Sequence, residues 1–195
     1  MTSQSLPRPL VDRLVPIRQD ALRIPLQLLL GVALMALLAH VRFEIGPVPI
    51  TGATFGVLLI GAAYGLKLGS LTMVLYLIAG GFGLSVFSGG AGWSYLAGAT
   101  GGYLFGYPLA AALVGYLAQR GLDRRFSTTA LAMLLGNVLI YIPGLLWLSQ
   151  LMPSTQATLQ AGLIPFIPGD VLKLILASSL LPTAWRLLGR TDKRG

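Results

Sequence analysis

An aspartate and a lysine stand three residues apart in Pro168-Gly169-Asp170-Val171-Leu172-Lys173. On a helix that spacing puts both side chains on one face, about one turn apart. A proline followed closely by an aspartate is also an ordinary helix-start signal. A lysine there can simply snorkel toward lipid headgroups. The pair is a candidate site because it opens an apolar run, and ionisable residues in membrane helices usually serve function. A carboxylate accepts hydrogen bonds and an ammonium donates them, so the two can hold a polar ligand without any covalent step. Asn137 and Tyr141 share one helical face with Gly144 in another apolar run. Asn137 offers a donor and an acceptor at membrane depth, or else an interhelical hydrogen bond. Pro143 is expected to kink that helix. A third candidate is the glycine-rich stretch from Phe87 to Tyr103, which carries Trp93, Tyr95 and Tyr103. It reads either as an outer loop closing an aromatic wall over a small ligand or as an interfacial aromatic belt.

The elements that must position these residues are set by lipid. Of the 195 residues 55% are apolar and 10% charged, against ~25% charged in a soluble domain. The mean hydropathy is +0.78. So few charges cannot cover a surface that faces water. The reading is an all-α polytopic membrane protein, a six-transmembrane-helix bundle with both termini cytoplasmic. Its segments run about Ile24–Val41, Ala53–Leu66, Leu68–Val86, Gly101–Leu117, Thr128–Leu151 and Ile167–Leu188. The second and third segments can also be read as one bent helix, since Lys67 and two glycines divide them.

Charge placement favours six. With six crossings the cytoplasmic side holds Arg8, Arg13, Arg18, Arg23, Lys67, Arg120, Arg124, Arg125, Arg186, Arg190, Lys193 and Arg194. The outer side keeps only Arg42 and Lys173 of the 14 basic residues. Residues 1–23 form a basic cytoplasmic segment, 24–188 the bundle and 189–195 a basic tail. No cleavable signal peptide is expected. Three outer connections, Arg42–Gly52, Ser85–Thr100 and Pro153–Pro168, are rich in glycine and proline. Irregular backbone near a membrane must be covered by protein or line a cavity. The ligand is therefore expected on that side.

Several chemistries drop out. The net charge of +8 is laid out as membrane topology rather than as a nucleic-acid face. There is no cysteine, and His40 is the single histidine, which argues against thiol chemistry and a transition-metal site. No Walker-type phosphate loop, zinc-protease helix motif or Gly-x-Ser-x-Gly elbow occurs. An enzyme is not expected, and no cofactor is. Ala33, Ala36 and Ala39 in the first segment and Gly98, Gly102 and Gly106 near the fourth form small-residue stripes. Such stripes pack helices, and the first is the candidate for docking a partner helix.

Taken together, particular stretches resemble a known family. These are Pro47-Val48-Pro49-Ile50-Thr51 with Thr54 and Gly56, Leu66-Lys67-Leu68-Gly69, Thr100-Gly101-Gly102-Tyr103, Ile140–Leu148 and Pro165–Lys173. In this order, over roughly residues 24–188, the chain resembles BioY, the biotin-binding S component of energy-coupling-factor (ECF) transporters. The resemblance implies a six-helix bundle that captures biotin from the outer side of the bacterial cytoplasmic (inner) membrane. It implies a transmembrane coupling subunit and cytoplasmic ATPase subunits as partners, although some members of the family transport alone. It carries ligand binding over to Asp170 and Lys173. Gly52-Ala53 replaces the family's common Leu-Gln, Ala99 replaces a common proline, and the alanines of the first segment are spaced by three rather than four. For biotin, Asp170 or Asn137 can accept the ureido hydrogens, Lys173 can pair with the carboxylate, and Trp93, Tyr95 and Tyr141 can pack on the rings. An S component for another small vitamin, an intramembrane enzyme and a structural or assembly protein without a ligand are the competing readings.

Overall fold

The computed structural model describes residues 9–11, 20–44 and 46–191. Most of the basic segment 1–23 and part of the tail 189–195 therefore lie outside the described residues. In chain order the elements are α1 (Asp20–His40), β1 (Arg42–Phe43), β2 (Ile50–Thr51), α2 (Ala53–Gly81), α3 (Trp93–Leu96), α4 (Gly101–Gln119), α5 (Phe126–Leu148), α6 (Thr155–Gly162) and α7 (Ile167–Thr191). Short 3-10 turns lie at Leu122–Arg124 and Ile164–Phe166. The fold is all-helical apart from the β1–β2 ribbon, in which Arg42 pairs with Thr51 and Phe43 with Ile50. Among the described residues, five helical stretches are long and apolar enough to cross a membrane. Large side chains such as Leu29, Leu37, Leu146 and Leu172 are exposed on the outside of the bundle, as expected where lipid is the solvent.

The second and third expected segments are one helical element, broken inside. Gly65 has φ 78° and ψ −179°, a region that is essentially glycine-only. The break falls there rather than at Lys67. The two arms of α2 then turn back on each other. A Cβ on Gly69 would lie 3.1 Å from the Gly61 Cα, and Thr54 and Tyr76 line one cavity. In a straight helix these two residues would be about 33 Å apart. The broken helix is repaired by α4. Gln119 Oε1 accepts a hydrogen bond from the Leu66 N–H at 3.3 Å. Gly115 lets the α4 backbone touch the break, since a Cβ there would sit 2.4 Å from the Gly65 carbonyl carbon.

The glycines near α4 pack inward. A Cβ on Gly102 would fall 2.4 Å from the Pro143 carbonyl oxygen, and one on Gly106 would fall 3.0 Å from the Ile140 Cα. Trp147 Nε1 donates to the Gly98 carbonyl at 3.0 Å. This stripe therefore joins α4 to α5. In the α1 stripe Ala39 is buried, Ala36 half-buried and Ala33 exposed. His40 Nδ1 lies 2.7 Å from the Ala36 carbonyl oxygen of its own helix.

The outer connections are more ordered than their composition suggests. One is the β ribbon, one contains α3, and one contains α6, capped by Ser154 Oγ accepting from the Ala157 N–H at 3.2 Å. The third expected segment ends at Gly81, not Val86. At the opposite end of the bundle, Pro9, Leu10, Gln119, Asp123 and Trp185 surround one small cleft. There Trp185 Nε1 donates to Asp123 Oδ2 at 2.5 Å. Burial pushes the Asp123 carboxyl up, partly offset by that hydrogen bond and by Arg124.

Gly65→Ala is expected to destabilise the fold by about 1–3 kcal/mol, the usual cost of a strained backbone site. A thermal melt of the detergent-solubilised protein checks this. Gly61→Ala, with ordinary helical geometry but a backbone atom 2.9 Å away, tests close packing alone.

Candidate functional site: a polar cluster under an aromatic roof

The two ends of α2, the proline-rich entry to α7 and the middle of α5 converge on one cavity. Its free interior is small, about 50 Å³, below the volume of a typical small-molecule pocket. Its polar element comes from three helices. In the first two turns of α7, Asp170 and Lys173 form an ion pair at 3.2 Å, with side chains 10% and 16% exposed. Lys173 Nζ also donates to Thr54 Oγ1 at 2.9 Å. On α5, the Tyr141 hydroxyl donates to the other carboxylate oxygen of Asp170. Both oxygens of a nearly buried carboxylate are thus engaged, as burial of charge demands.

Aromatic rings line the remainder. Tyr103 meets Tyr141 edge to face at 6.0 Å, and Tyr141 meets Phe166 at 6.5 Å. The Tyr103 hydroxyl is taken up by the Gly162 carbonyl at 2.8 Å. That bond ties α6 to the wall and leaves the ring face to the cavity. Tyr76 and Tyr107 stack at 6.5 Å on the opposite side. The roof is residues 82–92. Phe87 is driven into a notch floored by Gly80, where a Cβ would lie 2.0 Å from the ring. It stacks on Tyr95 at 5.2 Å and meets Tyr76 edge-on at 5.3 Å. Tyr76 donates to the Val86 carbonyl at 2.9 Å, and Tyr95 to the Ser88 carbonyl at 2.8 Å. Burial raises the Tyr95 phenol, partly offset by Thr100 and by the Arg42 guanidinium.

Of the seven residues singled out from sequence, five belong to the site: Lys173, Tyr141, Tyr103 and Tyr95 line the cavity, and Asp170 stands behind them, bonded to Lys173 and Tyr141. Two do not. Asn137 is 7% exposed and buried in α5, away from the lining, with its Oδ1 unpartnered among the described residues. One helical turn is enough to carry it below the cavity that Tyr141 reaches. Trp93 is 61% exposed and packs its ring against Phe82 at 6.1 Å, outside the cavity. Tyr76, Tyr107, Phe166 and Ser88 were not singled out. The i, i+4 spacing of Tyr103 and Tyr107 was a usable signal for one of them.

A family model described as the BioY family matches residues 13–190. The chain belongs to the BioY family. Its curated relatives include a probable biotin transporter BioY of Pyrococcus horikoshii, 36% identical over 163 residues that make up 83% of this chain and 94% of the relative. The biotin transporter BioY of Thermotoga maritima is 33% identical over 75% of this chain and 86% of its own. The fold is similar to the crystal structure of an S-component for biotin from an ECF-type ABC transporter. The TM-score is 0.72 at 24% identity, covering 92% of this chain and 95% of that one. Membership in BioY makes this chain a multi-pass membrane protein of a transporter family, in keeping with its apolar helices.

The ion pair generates a stability test. Lys173→Met leaves Asp170 buried without its cation and is expected to cost about 3–5 kcal/mol. Adding Asp170→Asn removes the orphan charge and should recover much of that loss. Thermal melts of the two single variants and the double variant check the cycle.

Proposed function

We propose that this chain is the substrate-binding subunit of a biotin uptake system, capturing biotin from the outer side of the membrane and passing it inward unchanged. The observation that carries the reading is the Thr54–Lys173–Asp170–Tyr141 cluster inside an aromatic cavity, in a chain of the BioY family. Biotin presents an apolar thiophane ring fused to a ureido ring with two N–H donors and a carbonyl, and a tail that ends in a carboxylate. Aromatic walls suit the fused rings, and a mixed set of acceptors and donors suits the ureido group. Asp170 accepts, while Lys173 and Thr54 supply donors. Tyr141, Tyr103 and Tyr95 shape the wall. Nothing here asks for a bond to be made or broken, so the reading is binding and transport, not catalysis.

Six crossings with both ends in the cytoplasm fit this reading. The arms of α2 return to the end of the bundle where the β ribbon lies. The described N-terminal residues Pro9 and Leu10 share a cleft with Trp185 near the end of α7. The basic residues Arg120, Arg124 and Arg125 fall near that cleft, as the positive-inside rule requires for the cytoplasmic face. The cavity then opens outward. The partners we propose are a transmembrane coupling subunit and cytoplasmic ATPases, since the sequence holds no phosphate loop of its own. The membrane is the bacterial cytoplasmic membrane.

Equilibrium binding of labelled biotin to the purified, folded subunit tests the proposal, with unlabelled biotin and other water-soluble vitamins as competitors. Saturable binding displaced by biotin alone is expected. Asp170→Asn should weaken it at least tenfold. Displacement by a different vitamin, or no binding at all by folded protein, would overturn the assignment.

A further inference from the structure

At the end of the bundle opposite the cavity, the chain's own N-terminal residues fill a cleft. Leu10 is 2% exposed and Val11 3%. Chain termini fray unless something ties them down, so this burial is a specific attachment. Pro9 and Leu10 stand among Ala62 of α2, Ala118 and Gln119 of α4, and Trp185 of α7. The free space beside them is about 10 Å³, no more than a single water needs. The segment therefore fills the cleft.

It also rests on the break in α2. A Cβ on Gly65 would lie 3.3 Å from Pro9 Cγ and 2.9 Å from Gln119 Nε2. Pro9 thus covers the same turn that Gln119 repairs through the Leu66 N–H. Beside it, Asp123 Oδ1 is buried without a hydrogen-bond partner among the described residues. Water admitted when the segment leaves would satisfy that oxygen. This offsets part of the cost of exposing Leu10 and Val11, so the segment can leave while the bundle stays folded.

Three helices reach both ends. α2 carries Thr54 to the cavity and Ala62 to the cleft, α4 carries Tyr107 and Ala118, and α7 carries Lys173 and Trp185. The two α4 residues are about 16 Å apart along their helix, and the two α7 residues about 18 Å. Packed helices shift as units, so a wedge between them at one end bears on their spacing at the other.

We infer that residues 9–11 are a removable wedge whose seating is coupled to ligand capture at the far end of the bundle. With the wedge seated, the arms of α2 stay closed and Thr54 stays on Lys173. With it withdrawn, the break flexes, the polar cluster loosens and the ligand escapes faster. Such coupling is reciprocal: a ligand that binds the seated form better holds the wedge in place by the same factor. The inference rests on the biotin reading above, which supplies the probe.

The chain has no cysteine, so one introduced thiol reports alone. Ala118→Cys places it in the cleft wall, where a water-soluble maleimide reaches it when the wedge is out. Labelled biotin is measured on detergent-solubilised wild type, on a chain lacking residues 1–11 and on Leu10→Ser, with thermal melts confirming each fold. The truncated chain is expected to bind biotin about fivefold more weakly or worse, through faster dissociation, and Leu10→Ser to move the same way. In full-length Ala118→Cys, saturating biotin should slow labelling by the factor that truncation costs in affinity. If truncation prevents folding, Leu10→Ser and the labelling rate carry the test. Two results would overturn the inference: folded wedge variants that bind biotin as wild type does, or a labelling rate that biotin leaves unchanged. Folded wild type that binds no biotin would instead remove the biotin reading, and the wild-type arm alone reads that outcome.

Discussion

Gly65 holds a backbone conformation that a Cβ would oppose, and the placement of the cavity depends on it. A straight helix from Ala53 to Gly81 would carry Thr54 and Tyr76 to opposite faces of the membrane. Folded at Gly65, it brings both to one end, where Thr54 meets Lys173 and Tyr76 supports the roof. The break exposes backbone groups in a medium that offers no water to pair with them. α4 answers with Gln119, which takes up the Leu66 N–H, and with Gly115, which permits the approach. Gly115 and Gln119, about fifty residues along the chain from Gly65, thus secure one turn.

From that turn the remaining arrangement follows by close packing. α4 lies against the broken helix on one side and against α5 on the other, with Gly102 and Gly106 admitting the α5 backbone. This fixes Tyr103 and Tyr107 relative to Tyr141, and so fixes two walls of the cavity. α7 closes the site from the third side and supplies the ion pair. The polar cluster is small, but its four members come from three helices. Its geometry is a property of the bundle rather than of any single helix.

What the sequence revealed follows the kind of signal each feature leaves. Apolar runs and basic clusters leave strong signals, so the helical membrane class and most segments were legible. The ion pair was legible because two ionisable residues in an apolar chain stand out, and Tyr103 and Tyr95 because they sit in a distinctive connection. The exact break was not, because Gly65 and Gly69 look alike in sequence and only packing against α4 decides between them. Asn137 looked eligible by its polarity, yet one helical turn separates it from the cavity. Trp93 looked eligible by its ring, but only the path of residues 82–92 tells that Phe87, not Trp93, is the ring turned inward. The β ribbon left no periodicity to read, since each strand has two residues.

The notch that receives Phe87 has a thermal consequence. Any opening of residues 82–92 must draw that ring off the Gly80 floor and into water, while the two tyrosine hydroxyls that hold Val86 and Ser88 exchange one hydrogen-bond partner for another. The free energy of opening is then largely that of hydrating an aromatic ring. Such a term carries a large heat capacity, and its restraining force fades on cooling rather than on warming. An ionic gate would respond mainly to salt. A roof fastened by Phe87 would show a curved dependence on temperature instead.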